Sequence, residues 1–201
     1  MKIGFIVECG PNGAETVVIP YLARQLAPEI ETDVVPLEKK PLLKKQCGAW
    51  AAQLLASGCD KVLIVWDLLP DWGEFEGSGC LHVDRQEIFQ SLNNAGIEES
   101  DERVHLVCIH KMLEAWLIAD ERAIARFLST AARQVDVPRK KKTESIRDPK
   151  SAMNEIFRKS HSRYNRYEDR LHAIEIVKHM QDLSRLGRLD TFRRFQAKLL
   201  S

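Results

Sequence analysis

Two apolar runs in this chain end on an acidic residue in the same way. Lys2–Val7 stops at Glu8, and Lys61–Trp66 stops at Asp67. Their unbroken apolar character is typical of strands that are buried on both faces of a parallel sheet. Because every strand of such a sheet delivers its carboxyl end to one edge, we expect the two acids to converge in one cleft. Converging carboxylates indicate a site for a divalent cation.

The remainder of the first 136 residues alternates between strand and helix patterns. Apolar positions at helical spacing predict helices over 14–26, 44–56, 84–94 and 111–128, and short apolar runs predict strands over 32–36 and 103–109. Strands that alternate with helices form parallel sheets with right-handed crossovers. The pattern therefore predicts an α/β protein with three layers around a four-stranded, mainly parallel sheet.

A different pattern begins near residue 136. The stretch 135–149 contains two prolines and the basic run Arg139–Lys142, which predicts an exposed, mobile connection. Three helical patterns follow, over 150–159, 168–183 and 189–200. Such short helices need another surface to bury against. We therefore expect an α/β core over residues 1–136 and, over residues 137–201, a basic linker with a helical extension packed on that core.

Composition adds limits to this picture. The chain has 201 residues with 44% hydrophobic content, enough for one globular core. No apolar stretch approaches the roughly 20 residues that span a bilayer, and the N-terminus lacks a signal-peptide pattern, so we expect a cytoplasmic protein with no membrane partner. Five scattered cysteines without a Cys-x-x-Cys pair argue against a disulfide framework and a structural zinc site.

The net charge of +1 conceals an asymmetry along the chain. The balance is −8 over residues 1–136 and +9 over residues 137–201. A basic segment is typical of a surface that contacts nucleic-acid phosphates, and the alternative is an ordinary solvated face beside the acidic portion. The candidate nucleic-acid contacts are Lys140, Lys141, Lys142, Arg193 and Arg194.

The acids at the strand ends are the strongest candidates for chemistry. Glu8 is costly to desolvate at the inner end of an apolar strand unless something neutralises it, which favours a role as proton carrier or metal ligand. Asp67 is a metal-ligand candidate for the same reason. Glu15 opens the next helix, where it either joins the metal site or complements the helix dipole. Asp71, in the acidic loop after Asp67, is either a further oxygen ligand for Mg²⁺ or Mn²⁺ or a solvated residue.

The helix predicted after the fourth strand carries two more acids. Glu114 lies about one turn into it, which places this carboxylate near the same sheet edge as Glu8 and Asp67. Asp120 falls in a seam of otherwise apolar positions with 4-3-4-3 spacing. Asp120 is therefore either part of a functional motif or a buried partner for an arginine of the C-terminal helices.

Together these residues resemble a known family. An acid after the first strand, acids after the third, and a Glu-Ala-Trp-Leu-x-Ala-Asp helix from Glu114 to Asp120, with Trp116 inside it, are similar to the Toprim (topoisomerase-primase) fold. More closely, the chain looks like a bacterial family of unknown function with a Toprim-like core, whose relatives include nucleases that act beside ATPases in phage defence. The resemblance includes Asp148-Pro149-Lys150 and, later in the chain, Tyr167 and Phe192–Phe195.

This resemblance implies Mg²⁺-dependent cleavage or transfer of nucleic-acid phosphodiesters, with an ATPase partner. In Toprim proteins the first acid, here Glu8, acts as acid or base, and paired acids after the third strand bind Mg²⁺. The usual Asp-x-Asp is here Asp67-Leu68-Leu69, so the second acid is missing at its expected spacing and Asp71 is the candidate replacement. The alternative is a non-catalytic interaction subunit of a defence complex with a degenerate metal site. A nucleotide hydrolase using Gly10–Gly13 has less support, because no phosphate-loop lysine pattern is present.

Overall fold

The computed structural model describes residues 1–69 and 80–201. Within them, four strands form one sheet in the order β2-β1-β3-β4, and every neighbouring pair is parallel. The strands are β1 (Lys2–Val7), β2 (Glu31–Pro36), β3 (Lys61–Asp67) and β4 (Val104–Ile109). Helices cover both faces of this sheet, so the predicted three-layer α/β class is confirmed.

The helices fall close to their predicted places. They are α1 (Glu15–Leu26), α2 (Lys40–Ala56), α3 (Leu81–Asn94), α4 (Glu114–Ala119), α5 (Glu121–Leu128), α6 (Pro149–Ser160), α7 (Asp169–Lys178) and α8 (Asp190–Leu200). Helix α7 ends at Lys178, five residues earlier than its apolar pattern predicts. Among the described helices, none combines the length and the apolar character needed to cross a bilayer.

The side chains of β1 and β3 alternate between two hydrophobic clusters. Phe5 and Leu63 point into a cluster formed with α1 and α4 to α8, whereas Ile6 and Ile64 point into one formed with α2 and α3. Helices α6 to α8 thus share a core with β1 and α1. On the other face α2 and α3 approach so closely that a Cβ at Gly48 would lie 1.9 Å from a backbone carbonyl of α3. This contact requires glycine.

The predicted single helix over 111–128 is wrong. Asp120 has φ −107° and ψ 79°, which ends α4 at Ala119 and starts α5 at Glu121. One carboxylate oxygen of Asp120 accepts hydrogen bonds from the amides of Arg122 and Ala123, each at 3.1 Å. The positions of the apolar seam are buried, as predicted. Asp120 ends one helix and caps the next, because its carboxylate accepts hydrogen bonds from amides at the start of α5 that would otherwise lack partners.

The expectation that 135–149 is an exposed connection is also wrong in part. Val137 and Thr143 are buried, and a short 3₁₀ turn over Thr143–Ser145 packs against α4. The Glu144 carboxylate accepts hydrogen bonds from two main-chain amides at the start of α8, both at 3.0 Å. The basic segment is therefore anchored to the C-terminal helices at this turn.

Candidate functional site

The carboxyl edge of the sheet carries a cavity of about 290 Å³. Glu8 follows β1, Asp67 ends β3, Glu114 begins α4 and Glu15 begins α1. All four side chains line this cavity. The structure therefore brings together, at one sheet edge, four of the acids that the sequence pattern predicts to share a site. Asp71, the fifth, lies outside the described residues.

Three of these acids are almost completely removed from solvent. Glu8 is 9% exposed, and Asp67 and Glu114 are each 5% exposed. Within the described residues, Oε2 of Glu8 and Oδ1 of Asp67 have no hydrogen-bond partner. The other carboxylate oxygen of Asp67 accepts a hydrogen bond from the Leu113 amide at 3.2 Å. Because a buried carboxylate oxygen without a partner is costly, each of these two oxygens calls for a proton, a cation or a bound water.

The electrostatics of the cavity favour protonation. Burial raises the pKa of Glu8 from its ordinary value of 4.5 to about 8; Lys40 opposes this rise and Glu15 adds to it. Burial also raises the pKa of Glu114, to about 7. The pKa of Asp67 lies well above its usual range, first because of burial and then because of the charges of Glu15, Glu8 and Glu114. At neutral pH the cavity therefore retains protons unless a cation displaces them.

The C-terminal helices complete the cavity wall. Lys150 of α6 and Asp169 of α7 both line it, and Lys150 Nζ lies 2.6 Å from an Asp169 carboxylate oxygen. The positive charge of Lys150 partly opposes the rise in the pKa of Glu114 that burial causes. The hydroxyl of Tyr167 is buried without a hydrogen-bond partner in the described part of the chain, and its pKa is raised by burial and then by Glu114. The sequence pattern did not assign these residues to the site, although Lys150 and Tyr167 belong to the C-terminal part of the family resemblance.

The loops at this edge have unusual backbone conformations. Glu38 has φ 60° and Lys111 has φ 74°; of the described non-glycine residues with positive φ, only His161 lies elsewhere, at the end of α6. The Glu38 amide donates to the Cys9 carbonyl at 2.9 Å, and the Leu69 amide donates to the Lys111 carbonyl at 2.8 Å. Such conformations cost free energy and are concentrated at functional sites.

A buried ion pair lies beside the cavity. Asp84 is 3% exposed and accepts a hydrogen bond from Trp66 Nε1 at 3.2 Å. Its carboxylate lies 3.3 Å from Lys44 Nζ and 3.8 Å from Lys40 Nζ. Lys40 also donates to the Leu68 carbonyl at 2.8 Å. The charge of Lys40 also opposes the rise in the pKa of Glu8, so this lysine links the ion pair electrostatically to the acidic cavity.

The helix motif of the resemblance has a packing role. Trp116 is fully buried, donates from Nε1 to Thr191 Oγ1 at 2.8 Å and packs edge-to-face on Phe192 with ring centroids 5.1 Å apart. Asp120 caps α5, and its carboxylate lies 3.7 Å from Arg185 Nε. Asp120 therefore pairs with an arginine of the helical extension, as one of the two interpretations predicts, but Arg185 lies in the segment between α7 and α8 and not in a C-terminal helix. Trp116 and Asp120 both fix α4, which begins with Glu114, against the helical extension.

The predicted nucleic-acid contacts lie at several places. Lys140 and Lys141 line a small cavity beside Ala119, whereas Lys142 does not; Lys141 and Lys142 are both exposed. Arg193 forms an ion pair with Asp190 on the surface of α8. Arg194 lines a separate cavity of about 280 Å³ beside Leu68. These side chains therefore belong to different local surfaces.

The acids of the cavity fit the expected Mg²⁺ or Mn²⁺ only in part. Among residues 1–69 and 80–201, no group of three or more His, Cys, Asp or Glu side chains is arranged to hold a metal ion. The unpartnered oxygens of Glu8 and Asp67 nevertheless suit a hard cation, since Mg²⁺ is usually held by one or two carboxylates and keeps several waters. The residues present fit a largely hydrated cation rather than a closed protein cage.

Comparisons of the chain with protein-family models, with curated proteins and with solved structures gave no match. The resemblance to the Toprim fold therefore stays a prediction. Function has to be inferred from the chemistry of the acidic cavity.

Proposed function

We propose that this protein is a Mg²⁺- or Mn²⁺-dependent enzyme that cleaves or transfers phosphodiesters of nucleic acid. The observation that carries the proposal is the pair of buried, unpartnered oxygens, Glu8 Oε2 and Asp67 Oδ1, in one cavity with Glu114 and Glu15. Their desolvation is a cost that a bound cation offsets. Carboxylates that share a cavity with a cation are suited to phosphoryl transfer.

In this proposal the residues of the cavity have different chemical roles. Asp67 would hold the cation, with Glu8 or Glu114 nearby, and the bound cation would neutralise charge on the phosphoryl oxygens. Glu8, whose pKa is about 8, accepts or returns a proton near neutral pH. Lys150, held by Asp169, places a positive charge where a phosphate enters the cavity.

Nucleic acid is the substrate class that the charge distribution favours. The balance of +9 over residues 137–201 suits a polyanion, and Lys150 shows that part of this basic segment reaches the acidic cavity. An ATPase partner is proposed on the family resemblance alone.

A second candidate is a non-catalytic interaction subunit. The observation that favours it is that the described residues contain no ready group of three metal ligands. In this interpretation the acidic cavity is a remnant, and Glu8 and Asp67 keep their protons.

The proposal is tested directly by incubating the full chain with single-stranded and duplex DNA and with RNA. We expect products in millimolar Mg²⁺ or Mn²⁺ and none in EDTA, with Asp67→Asn as the inactive control. If no substrate is cut under any metal condition, in the presence or absence of an added ATPase, the catalytic proposal fails.

Metal binding is expected to stabilise the protein. Millimolar Mg²⁺ or Mn²⁺ should raise the melting temperature by about 2–8 °C, because the cation binds the folded state and relieves repulsion among the acids. In Asp67→Asn the same addition should have no effect. Differential scanning fluorimetry with Ca²⁺-free buffers measures both shifts. Equal shifts in the two proteins would place the metal elsewhere and favour the interaction subunit.

A further inference from the structure

A second polar cavity lies at the other end of α4 from the acids. Glu114 is the first residue of α4 and Ala119 is the last, so the helical rise separates them by roughly 8 Å. Ala119 lines a cavity of about 30 Å³ together with Thr143. Its cationic lining residues are Arg139, Lys140, Lys141, Arg185 and Arg188.

Most of this positive charge has no acidic partner. Arg185 lies 2.5 Å from a Glu121 carboxylate oxygen and 3.7 Å from Asp120, so its charge is balanced. The other four cationic residues of the cavity form no ion pair within residues 1–69 and 80–201. Arg139, Lys141 and Arg188 are exposed, so water screens most of the repulsion among these charges. An anion bound at the cavity is nevertheless attracted by all four cations at once.

An unsatisfied hydroxyl supplies a second, independent observation. Thr143 is 1% exposed, lines the cavity, and its Oγ1 has no hydrogen-bond partner in the described part of the chain. Buried polar side chains almost always have a partner, so this hydroxyl is available to a water or to an anion in the cavity. The main chain of this turn is held in place, because the Ile146 amide donates to the Thr143 carbonyl at 3.1 Å and Glu144 accepts hydrogen bonds from the start of α8.

We propose that this cavity binds one phosphate group. The Thr143 hydroxyl donates to a phosphate oxygen, and Lys140, Lys141 and Arg188 neutralise its charge. A space of about 30 Å³ is roughly the volume of one water molecule, so it takes one oxygen of the phosphate group. The rest of the group, the sugar and the base lie outside, beside the exposed side chains of Lys141 and Arg188, so recognition is independent of base identity.

The assignment of this phosphate to a nucleic-acid backbone rests on the proposed function. A strand whose reacting phosphate lies at Glu8 and Asp67 would place a neighbouring phosphate at the other end of α4. Free phosphate has the same chemistry, and the test separates the two sources.

The test measures binding to the full chain in EDTA, so that cleavage has no influence on it. The probes are inorganic phosphate and a single-stranded oligonucleotide without terminal phosphates. Binding is followed by the chemical shift of the Thr143 amide and by isothermal titration. Thr143→Val should weaken binding by about tenfold and Lys141→Met by several-fold, since a hydrogen bond to a charged group and a paired charge are lost. With inorganic phosphate as the probe, Lys142→Met, which removes the same charge outside the cavity, should change affinity by less than about twofold.

The melting temperature of Thr143→Val provides one further result. Without ligand, Thr143→Val should melt at the same or a higher temperature, because valine has a similar shape and removes an unpartnered hydroxyl. If that variant fails to fold, Lys141→Met and Lys142→Met still provide the comparison.

The proposal is overturned if neither probe shifts the Thr143 amide, or if Lys142→Met weakens the binding of inorganic phosphate as much as Lys141→Met. Binding of the oligonucleotide supports the backbone assignment, and binding of inorganic phosphate alone supports the cavity but overturns that assignment. Failure of cleavage in the earlier experiment leaves this result unaffected, which keeps the two proposals distinguishable.

Discussion

Replacement of Glu8 by Gln should lower the rate of metal-dependent phosphodiester cleavage by about 10²–10⁴-fold. Glutamine keeps the size and polarity of the side chain but can neither accept nor return a proton. Affinity for nucleic acid should stay within about threefold, because the loss concerns the transition state and not the bound ground state. Single-turnover cleavage at saturating enzyme, with anisotropy for affinity, separates the two quantities.

The pH dependence of cleavage should identify the same residue. If the Glu8 carboxylate is the base, the rate rises with pH as this group loses its proton, with a midpoint below the metal-free pKa of about 8 because a bound cation lowers it. In Glu8→Gln the residual rate should lose this dependence. Glu29→Gln, which changes an exposed acid just before β2, is the matched control and should retain the normal profile. A Glu8→Gln profile with the wild-type midpoint would assign the proton transfer to another group.

The free energy of unfolding should also depend strongly on pH. In the absence of metal, the free energy of unfolding should fall as pH rises from about 4.5 to about 8. Glu8 has a folded-state pKa of about 8 and an ordinary value of 4.5, so over this range the folded protein binds a proton that the unfolded chain releases. The stabilising effect of that proton is complete below pH 4.5 and is lost by the time Glu8 ionises. For a carboxyl this buried, the loss amounts to several kcal/mol.

Urea unfolding in EDTA across this pH range measures the slope. Glu8→Gln should be more stable than the native protein above pH 8 and should have a shallower slope, while Glu114, with a pKa of about 7, and Asp67 contribute the remainder. Asp101, whose pKa is lowered to about 2, has the opposite effect: the stability that it contributes is lost as pH falls. This loss occurs below about pH 4 and so lies outside the range of the experiment. A native profile that is flat from pH 5 to 8, or an equal slope in Glu8→Gln and Glu29→Gln, would contradict this prediction.

The part of the site that the sequence predicts depends on one rule of topology. Glu8 and Asp67 could be placed together because both follow apolar strands, and parallel strands end at one edge. Glu114 followed because it opens the helix after β4. The pattern predicts that α2 starts at 44, whereas it starts at Lys40, because the sequence from Lys40 to Leu43 has little apolar periodicity. Pro41 in the first turn is the signal that favours the earlier start.

The other features of the site depend on packing between segments that are distant in the sequence, which the apolar pattern does not predict. Lys150 and Asp169 reach the acids only because α6 and α7 share a core with α1 and α4, and no local spacing encodes that contact. Thr143 is in a segment whose prolines and lysines indicate exposure, yet its turn is buried against α4. Asp120 was placed at a core position correctly, but its capping role depends on backbone angles that apolar periodicity does not report.

The shared core of β1, α1 and the C-terminal helices has a consequence for synthesis. Residues 1–136 leave the ribosome with the acids of the sheet edge already present, but Lys150 and Asp169 follow only with α6 and α7. At usual translation rates, the chain needs roughly 2–8 s to extend from residue 136 to the end of α7. Until then the apolar face that these helices cover is open and the carboxylates lack their lysine. A nascent chain therefore has an unfinished acidic cavity, and it acquires the proposed activity only after the helical extension has docked.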